Sequence, residues 1–364
     1  MTRAESPGRT DAQAPVCRPK RAMPLTTALV LLCAGLLVAV TVGGCQTTRT
    51  STDEERPDRP RRPVIGAERD EKSISALFEG RRYEREGEED SALRAFERAI
   101  EINPELTMAY IEAGNIYRRR GDYSLAERRY GEAARVEPLN FDAQYLHGLA
   151  LQLLNRLTEA VRAYLRALAI DPMNLDANMN IATAYLGLGE PRQAMRYAIR
   201  AVRIDGESGP ARANLAAVYR ELDEHESAVT ELRQAAELMQ LSPELLLMLS
   251  DSLSRTGRKD EAIVTIEEVL ALGPSPVAYE TLGALLFRDY RYDEAEEAFQ
   301  RAIELDPTHF PAINSLGIYR LNQYLWSEKR NRDAQREGVR LLRRSLQINP
   351  DQPRIVELVR RYGA

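Results

Sequence analysis

The chain has 364 residues and carries 50 Lys and Arg against 55 Asp and Glu, a formal net charge of −5. Without the first 44 residues the balance is 45 to 53, and so acidic a chain is a poor ligand for phosphate backbones, which argues against nucleic acid as a partner. All three cysteines, Cys17, Cys33 and Cys45, lie near the N-terminus, so the remainder has no disulfide, zinc-type cysteine cluster or thiol nucleophile.

Arg18, Lys20 and Arg21 precede an uncharged stretch from Ala22 to Gly44, which ends in Val42-Gly43-Gly44-Cys45. The ending resembles the lipobox of bacterial lipoproteins. That resemblance implies a signal peptide over 1–44, cleavage before Cys45, and acylation of its thiol and new amino group, so that Cys45 would hold the chain to a lipid bilayer. Cys33 fails the pattern because Leu32, not a small residue, precedes it. Two alternatives stay open. The stretch is long enough to span ~30 Å of hydrocarbon as an uncleaved anchor in an inner membrane, and translation from Met23 would strip the basic flank. With either a cleaved signal or an anchor, the basic residues stay in the cytoplasm and the rest is exported to the periplasmic face of the envelope. Where the sorting rule of enteric bacteria applies, Gln46 after the cysteine favours the outer membrane.

Residues 45–72 read as a disordered tether. Gln46 to Asp53 is Thr-rich, and Arg56 to Pro63 interleaves arginine and proline, too polar to bury a core. Such a chain spans roughly 30 Å.

A repeat follows. Gly80, Gly114, Gly148, Ala182, Ala216 and Ser250 recur every 34 residues, then Gly283 after 33 and Gly317 after 34. A second small-residue column runs through Ala92, Ala126, Ala160, Ala194, Ala228, Ala262 and Ala295, and a third through Ala99, Ala133, Ala167, Ala201, Ala235, Val269 and Ala302. Phe96, Tyr130, Tyr164 and Phe299 hold a bulky slot between them, with Leu232 and Ile266 substituting, and Pro104, Pro138, Pro172, Pro274, Pro307 and Pro350 close the units. Small residues let helices cross closely, the bulky residue fills the gap, and proline stops the second helix.

At these residues the chain resembles the tetratricopeptide repeat family. The resemblance implies an all-α solenoid, a right-handed superhelix of eight helix pairs over 73–350 whose first helices line the inner surface. Gly206 and Gln240 in place of the closing proline, and Ala198 in place of the aromatic, mark repeats four and five as the weakest matches. Residues 351–364 supply a C-terminal cap, with Ile355, Leu358 and Val359 turned inward and Arg354, Arg360 and Arg361 outward.

No catalytic constellation, cofactor or metal site is apparent. His147, His225 and His309 fall in three different repeats, and His225-Glu226 lacks the second histidine a zinc-peptidase helix needs. An enzyme would require a site assembled across repeats.

Recognition remains, and on the family's geometry the groove is lined by Tyr145, Leu149 and Gln152 in the third unit and by Met179, Thr183 and Leu186 in the fourth. Leu247 continues the apolar strip, and Arg81, Arg85, Asn115 and Arg118 make the N-terminal end basic. Asn180 and Asn214, one repeat apart, are spaced to bond an extended peptide backbone, as in the asparagine ladder of a repeat-containing glycosyltransferase. The carboxylate clamp of chaperone-binding relatives is unmatched, since Ile111 takes the lysine's place. Nine extra residues in the eighth unit predict a hairpin tip that projects by roughly 7 Å and carries Tyr324, Trp326 and Arg330, either as a docking surface or as packing for the array's end. The sequence thus reads as an exported, tethered scaffold that takes a protein or peptide in its groove. It is similar to the repeat lipoproteins of type IV pilus and secretion assembly, with an adaptor for cell-wall enzymes as the alternative.

Overall fold

The computed structural model describes residues 65–363, with side chains described from Glu68 onward. Cys45, the leader and the tether as far as residue 64 lie outside the described residues. Within them the chain forms seventeen helices. Eight antiparallel pairs follow one another: α1 (Ile65–Arg85) with α2 (Glu89–Ile102), α3 (Thr107–Arg119) with α4 (Tyr123–Val136), α5 (Phe141–Leu153) with α6 (Leu157–Ile170), and α7 (Leu175–Gly187) with α8 (Pro191–Ile204). Then come α9 (Gly209–Glu221) with α10 (His225–Leu238), α11 (Pro243–Arg255) with α12 (Lys259–Leu272), α13 (Pro276–Arg288) with α14 (Tyr292–Leu305), and α15 (Phe310–Trp326) with α16 (Arg332–Ile348). The last helix, α17 (Pro353–Tyr362), covers α16 and buries Ile355 while Arg354, Arg360 and Arg361 stay exposed.

The stretch 65–72 is helical, which corrects the C-terminal boundary of the tether. Local charge pairing accounts for it: Lys72 donates to Glu68 at 2.8 Å one turn away, and Asn103 at the end of α2 donates to Asp70 at 3.0 Å. None of the described helices is long and apolar enough to cross a membrane.

Two kinds of punctuation alternate along the chain. Five first helices, α5, α7, α9, α11 and α13, start at a side-chain cap: Asn140, Asn174, Ser208, Ser242 and Ser275 each accept a hydrogen bond from the backbone N–H three residues on. The second helices α2 to α14 have no such cap, and the turn before each is closed by a residue in the left-handed region; α16 alone among the second helices is capped, by Asn331, which accepts from the Ala334 N–H. Gly87, Gly121, Gly189 and Gly257 occupy it with φ of 71–83°. In the third, fifth and seventh units Asn155, Asp223 and Tyr290 adopt the same conformation, which for the tyrosine is strained. The helices α8 and α10 end in register with the others although Gly206 and Gln240 replace proline, so this stop does not depend on the ring.

The three columns form the interior. Every member of the two alanine columns is at most 1% exposed, as are Phe96, Tyr130, Tyr164, Leu232 and Ile266 in the bulky slot. Burying each of those large side chains stabilises the array by about 1.5–3 kcal/mol. In the fourth unit, where Ala198 holds the slot, the neighbouring Tyr197 is buried instead and stacks on Tyr185 at 5.8 Å. The nine extra residues of the eighth unit divide as four in α15, three in α16 and two in the turn, where Glu328 and Lys329 both take positive φ. The pair is therefore longer than its neighbour by about 6 Å at 1.5 Å per residue.

Candidate functional site

Successive first helices lie side by side, and polar bridges hold them in register. Asn180 donates to the Tyr145 hydroxyl at 2.9 Å, and Asn214 donates to Thr183 Oγ1 at 2.8 Å and more weakly to the Met179 carbonyl at 3.4 Å. The two asparagines therefore spend their N–H groups on neighbouring repeats and act as inter-repeat ties. The same function falls to Arg220 and Asp251 at 2.9 Å and to Ser315 and Glu280 at 3.0 Å further along.

The bridges bring Tyr145, Met179, Asn180, Thr183 and Asn214 together across α5, α7 and α9. Leu149 and Leu186 lie on the same helices, while Leu247, on α11, is separated from them by α9. Their packing differs. Tyr145 and Leu186 pack against the core of repeats three to five, and Leu247 against the following core, whereas partly exposed Leu149 and Met179 belong to neither. Tyr145 also stacks on Phe141 at 5.7 Å and lies 5.9 Å from Tyr164, whose hydroxyl donates to Gln152 at 2.9 Å. Burial pushes the Tyr145 and Tyr164 phenols above the ordinary tyrosine range, so both stay neutral. The apolar strip free to meet a ligand is thus narrower than the sequence suggests, with Leu149 and Met179 at its centre and exposed Thr183 beside them.

At the basic N-terminal end Arg81 is neutralised by a neighbouring helix, whereas Arg85 and Arg118 enter no ion pair among the described residues. Arg81 is paired with Glu112 at 2.7 Å, Arg119 bridges Glu84 at 2.7 Å and Glu89 at 3.2 Å, and Arg120 reaches Asp90 at 2.8 Å. These carboxylates come from neighbouring helices, which a reading of one helix at a time does not connect.

A second apolar surface was not read from the sequence. The columns of Leu149 and Gln152 continue to Ala284 and Phe287 on α13 and to Ile318 and Leu321 on α15. Ala284, Phe287 and Ile318, with Phe299, Ser315 and Tyr319, line a cleft of about 140 Å³. Trp326 closes over its edge, 4.7 Å from Tyr292 and 6.3 Å from both Phe287 and Tyr319, and is 51% exposed. Of the two readings of the lengthened tip, Tyr324 follows the one in which it packs the array's end. Tyr324 is buried, meets Tyr362 of α17 edge-on at 6.5 Å and accepts a hydrogen bond from Arg332, so it serves the cap. Arg330 is exposed beside Glu328 in the turn, apart from the aromatic group. The sequence signal for this surface is the recurrence of aromatic residues at Phe287, Tyr292, Tyr319 and Trp326.

His147, on α5, is partly buried beside Glu127. Burial lowers its pKa, and the carboxylate of Glu127, 3.3 Å from Nε2, opposes that shift only in part. Among the described residues no group of three or more His, Cys, Asp or Glu is arranged to hold a metal ion.

Comparison with known proteins agrees with this architecture. Tetratricopeptide repeat profiles match residues 79–106, 111–174, 175–208, 243–275 and 276–309. The fourth unit is matched although its closing proline and aromatic are missing; the fifth lies between matched spans. The small glutamine-rich tetratricopeptide repeat-containing protein 2 of Mycosarcoma maydis is 33% identical over 84 residues, which are 23% of this chain and 24% of that relative's length. Among solved structures, the Cut9–Hcn1 hetero-tetramer of the APC/C aligns with a TM-score of 0.54 and 19% identity, over 82% of this chain and 57% of that one. A tetratricopeptide repeat protein from Parabacteroides merdae ATCC 43184 aligns at 0.52 with 18% identity, over 65% and 94%. At these identities the structural likeness is one of fold. With repeat profiles across six of its eight helix pairs and the matching stacked architecture, the chain belongs to the tetratricopeptide repeat family.

Proposed function

We propose that the protein is an exported, membrane-tethered scaffold that acts by binding a protein or peptide along its first helices, in the service of assembling an envelope machine of the pilus or secretion type. The observation that carries the binding role is the strip of partly exposed Leu149 and Met179 beside exposed Thr183: two large apolar side chains that pack into no core cluster, on a surface held rigid by the asparagine ties. Export and tethering rest on the basic-then-apolar leader and its ending at Cys45.

Two measurements test the reading separately. Labelling cells with a fatty-acid analogue should mark the native protein and leave Cys45→Ala unmarked; label that persists in the variant removes the lipid assignment. Capture of partners from envelope extract should recover pilus or secretion-channel subunits, and capture should fail with Leu149→Ser/Met179→Ser. Recovery of wall hydrolases or synthases instead would assign the scaffold to cell-wall enzymes, and undiminished capture by the variant would remove the groove from the account.

A further inference from the structure

The charges of this array are not spread evenly, and their order is informative. No first helix departs from neutrality by more than one formal charge, whereas the second helices α2, α4, α6, α8, α10, α12, α14 and α16 carry −2, +1, +1, +4, −2, −3, −4 and +3. The helix α8 is the sharpest case. It contains Arg192, Arg196, Arg200 and Arg203 at spacings of four, four and three and no acidic residue. That spacing puts all four on one helical face, where all are exposed and none enters an ion pair among the described residues. Immediately beyond it, exposed Glu226 and Glu237 on α10 and Asp260, Glu267 and Glu268 on α12 also lack a basic partner among the described residues.

Read from either end towards the boundary between α8 and α10, the signs are opposite at every step: α2 against α16, α4 against α14, α6 against α12, α8 against α10. A surface with this property is complementary to itself. Turned over about a two-fold axis at that boundary, each basic helix of one copy meets an acidic helix of the other, and the same match recurs on the far side of the axis. Unpaired like charges on one face repel one another in the single chain, and a second copy relieves both sets at once.

We propose that the second-helix face of repeats three to six is a pairing surface for a second copy of this chain, arranged antiparallel about an axis between α8 and α10. Exposed pairs of this kind confer orientation more than affinity, so the association is salt-sensitive: ionic screening reaches a Debye length of about 3 Å at 1 M. The arrangement leaves the first-helix groove of each copy free, and it is independent of whether Cys45 is acylated or what the groove binds.

The test uses sedimentation velocity on the purified full-length protein in detergent micelles. The native protein should dimerise at low salt and dissociate when sodium chloride is raised to molar concentration. R192E/R200E and E226R/E237R should each lose roughly 10- to 100-fold in dimer affinity, because the first leaves α8 with no net charge to set against acidic α10 and the second turns α10 positive opposite basic α8, on both sides of the axis. An equimolar mixture of the two variants should regain pairing, since the new glutamates on α8 of one then face the new arginines on α10 of the other and the remaining contact is native. Helicity by circular dichroism, unchanged in each variant, separates lost pairing from lost folding, and the mixture remains decisive if either variant is merely weakened. A native protein that stays monomeric at every concentration, a dimer indifferent to salt, or two variants that fail to complement would each overturn the proposal. So would a monomer that binds vesicles of anionic phospholipid through α8 and loses them in R192E/R200E, which would give the arginine face to a membrane.

Discussion

A side-chain carbon placed on Gly114 would lie 2.6 Å from the ring of Tyr130, closer than such atoms approach. The pairing recurs within the third and seventh units, where Gly148 meets Tyr164 at 2.7 Å and Gly283 meets Phe299 at 2.6 Å. Where the slot holds Ala198, Leu232 or Ile266 instead, the facing position holds Ala182, Ala216 or Ser250. Two columns that look independent in sequence are therefore one volume constraint divided between two helices.

Gly114→Ala should destabilise the array by about 1–3 kcal/mol as an overpacked core, although alanine gains helix propensity over glycine of roughly 0.5–1 kcal/mol. Tyr130 is fully buried and its hydroxyl donates to Asn115 at 2.8 Å, so the ring has nowhere to go. Adding Tyr130→Leu should make the effect of Gly114→Ala smaller or reverse it. Thermal melts of the four proteins in the cycle decide this, and a rise in melting temperature for Gly114→Ala alone would refute the clash.

Tyr145→Phe should cost about 1 kcal/mol of stability by leaving the Asn180 amide without its acceptor, while Leu149→Ser/Met179→Ser should change stability by less than that. The contrast in melting temperature separates the tie from the partly exposed strip. Equal losses in the two variants would mean that Leu149 and Met179 are ordinary packing.

Trp326 is half exposed against Tyr292, Phe287 and Tyr319, so its emission in the free protein should lie between the buried and the fully solvated extremes. Tyr292→Ala should shift it to the red and make it easier to quench with acrylamide. Emission unchanged by that substitution would show that the tryptophan does not pack on the seventh repeat.

The buried imidazole of His147 has a folded pKa below its unfolded value of about 6.5. Its neutral form is the one the fold accommodates, so its share of stability is fully present above that unfolded value and is lost as pH falls through the folded pKa. The native protein should therefore melt at lower temperature at pH 5 than at pH 8, and His147→Gln should show a smaller difference between the two. An equal difference in both proteins would place the pH sensitivity elsewhere.

Periodicity made the repeat register legible, because a stacked array repeats its close contacts at the length of one unit: Gly80 through Gly317 and both alanine columns fall where two helices cross. Groove residues were legible by position and not by engagement. The spacing that puts Asn180 and Asn214 on the inner face says nothing about the Tyr145 hydroxyl and Thr183 reaching them from the preceding repeat, and the arginines of the first repeats gave no sign of carboxylates arriving from 30–35 residues away. Tyr290 in a left-handed turn was invisible for a different reason, since a residue held there by the surrounding helices does not show the glycine preference that marks the same turn in other units.

Because each glycine and the ring that needs it belong to the same helix pair, the array can be cut only between pairs. A whole unit moved to another place in the stack brings its own fit with it, whereas a lone first helix such as α9, carrying Ala216, set against α4 would drive a methyl group into Tyr130. Any lengthening or shortening of this solenoid by recombination, natural or engineered, is thereby confined to steps of one complete helix pair.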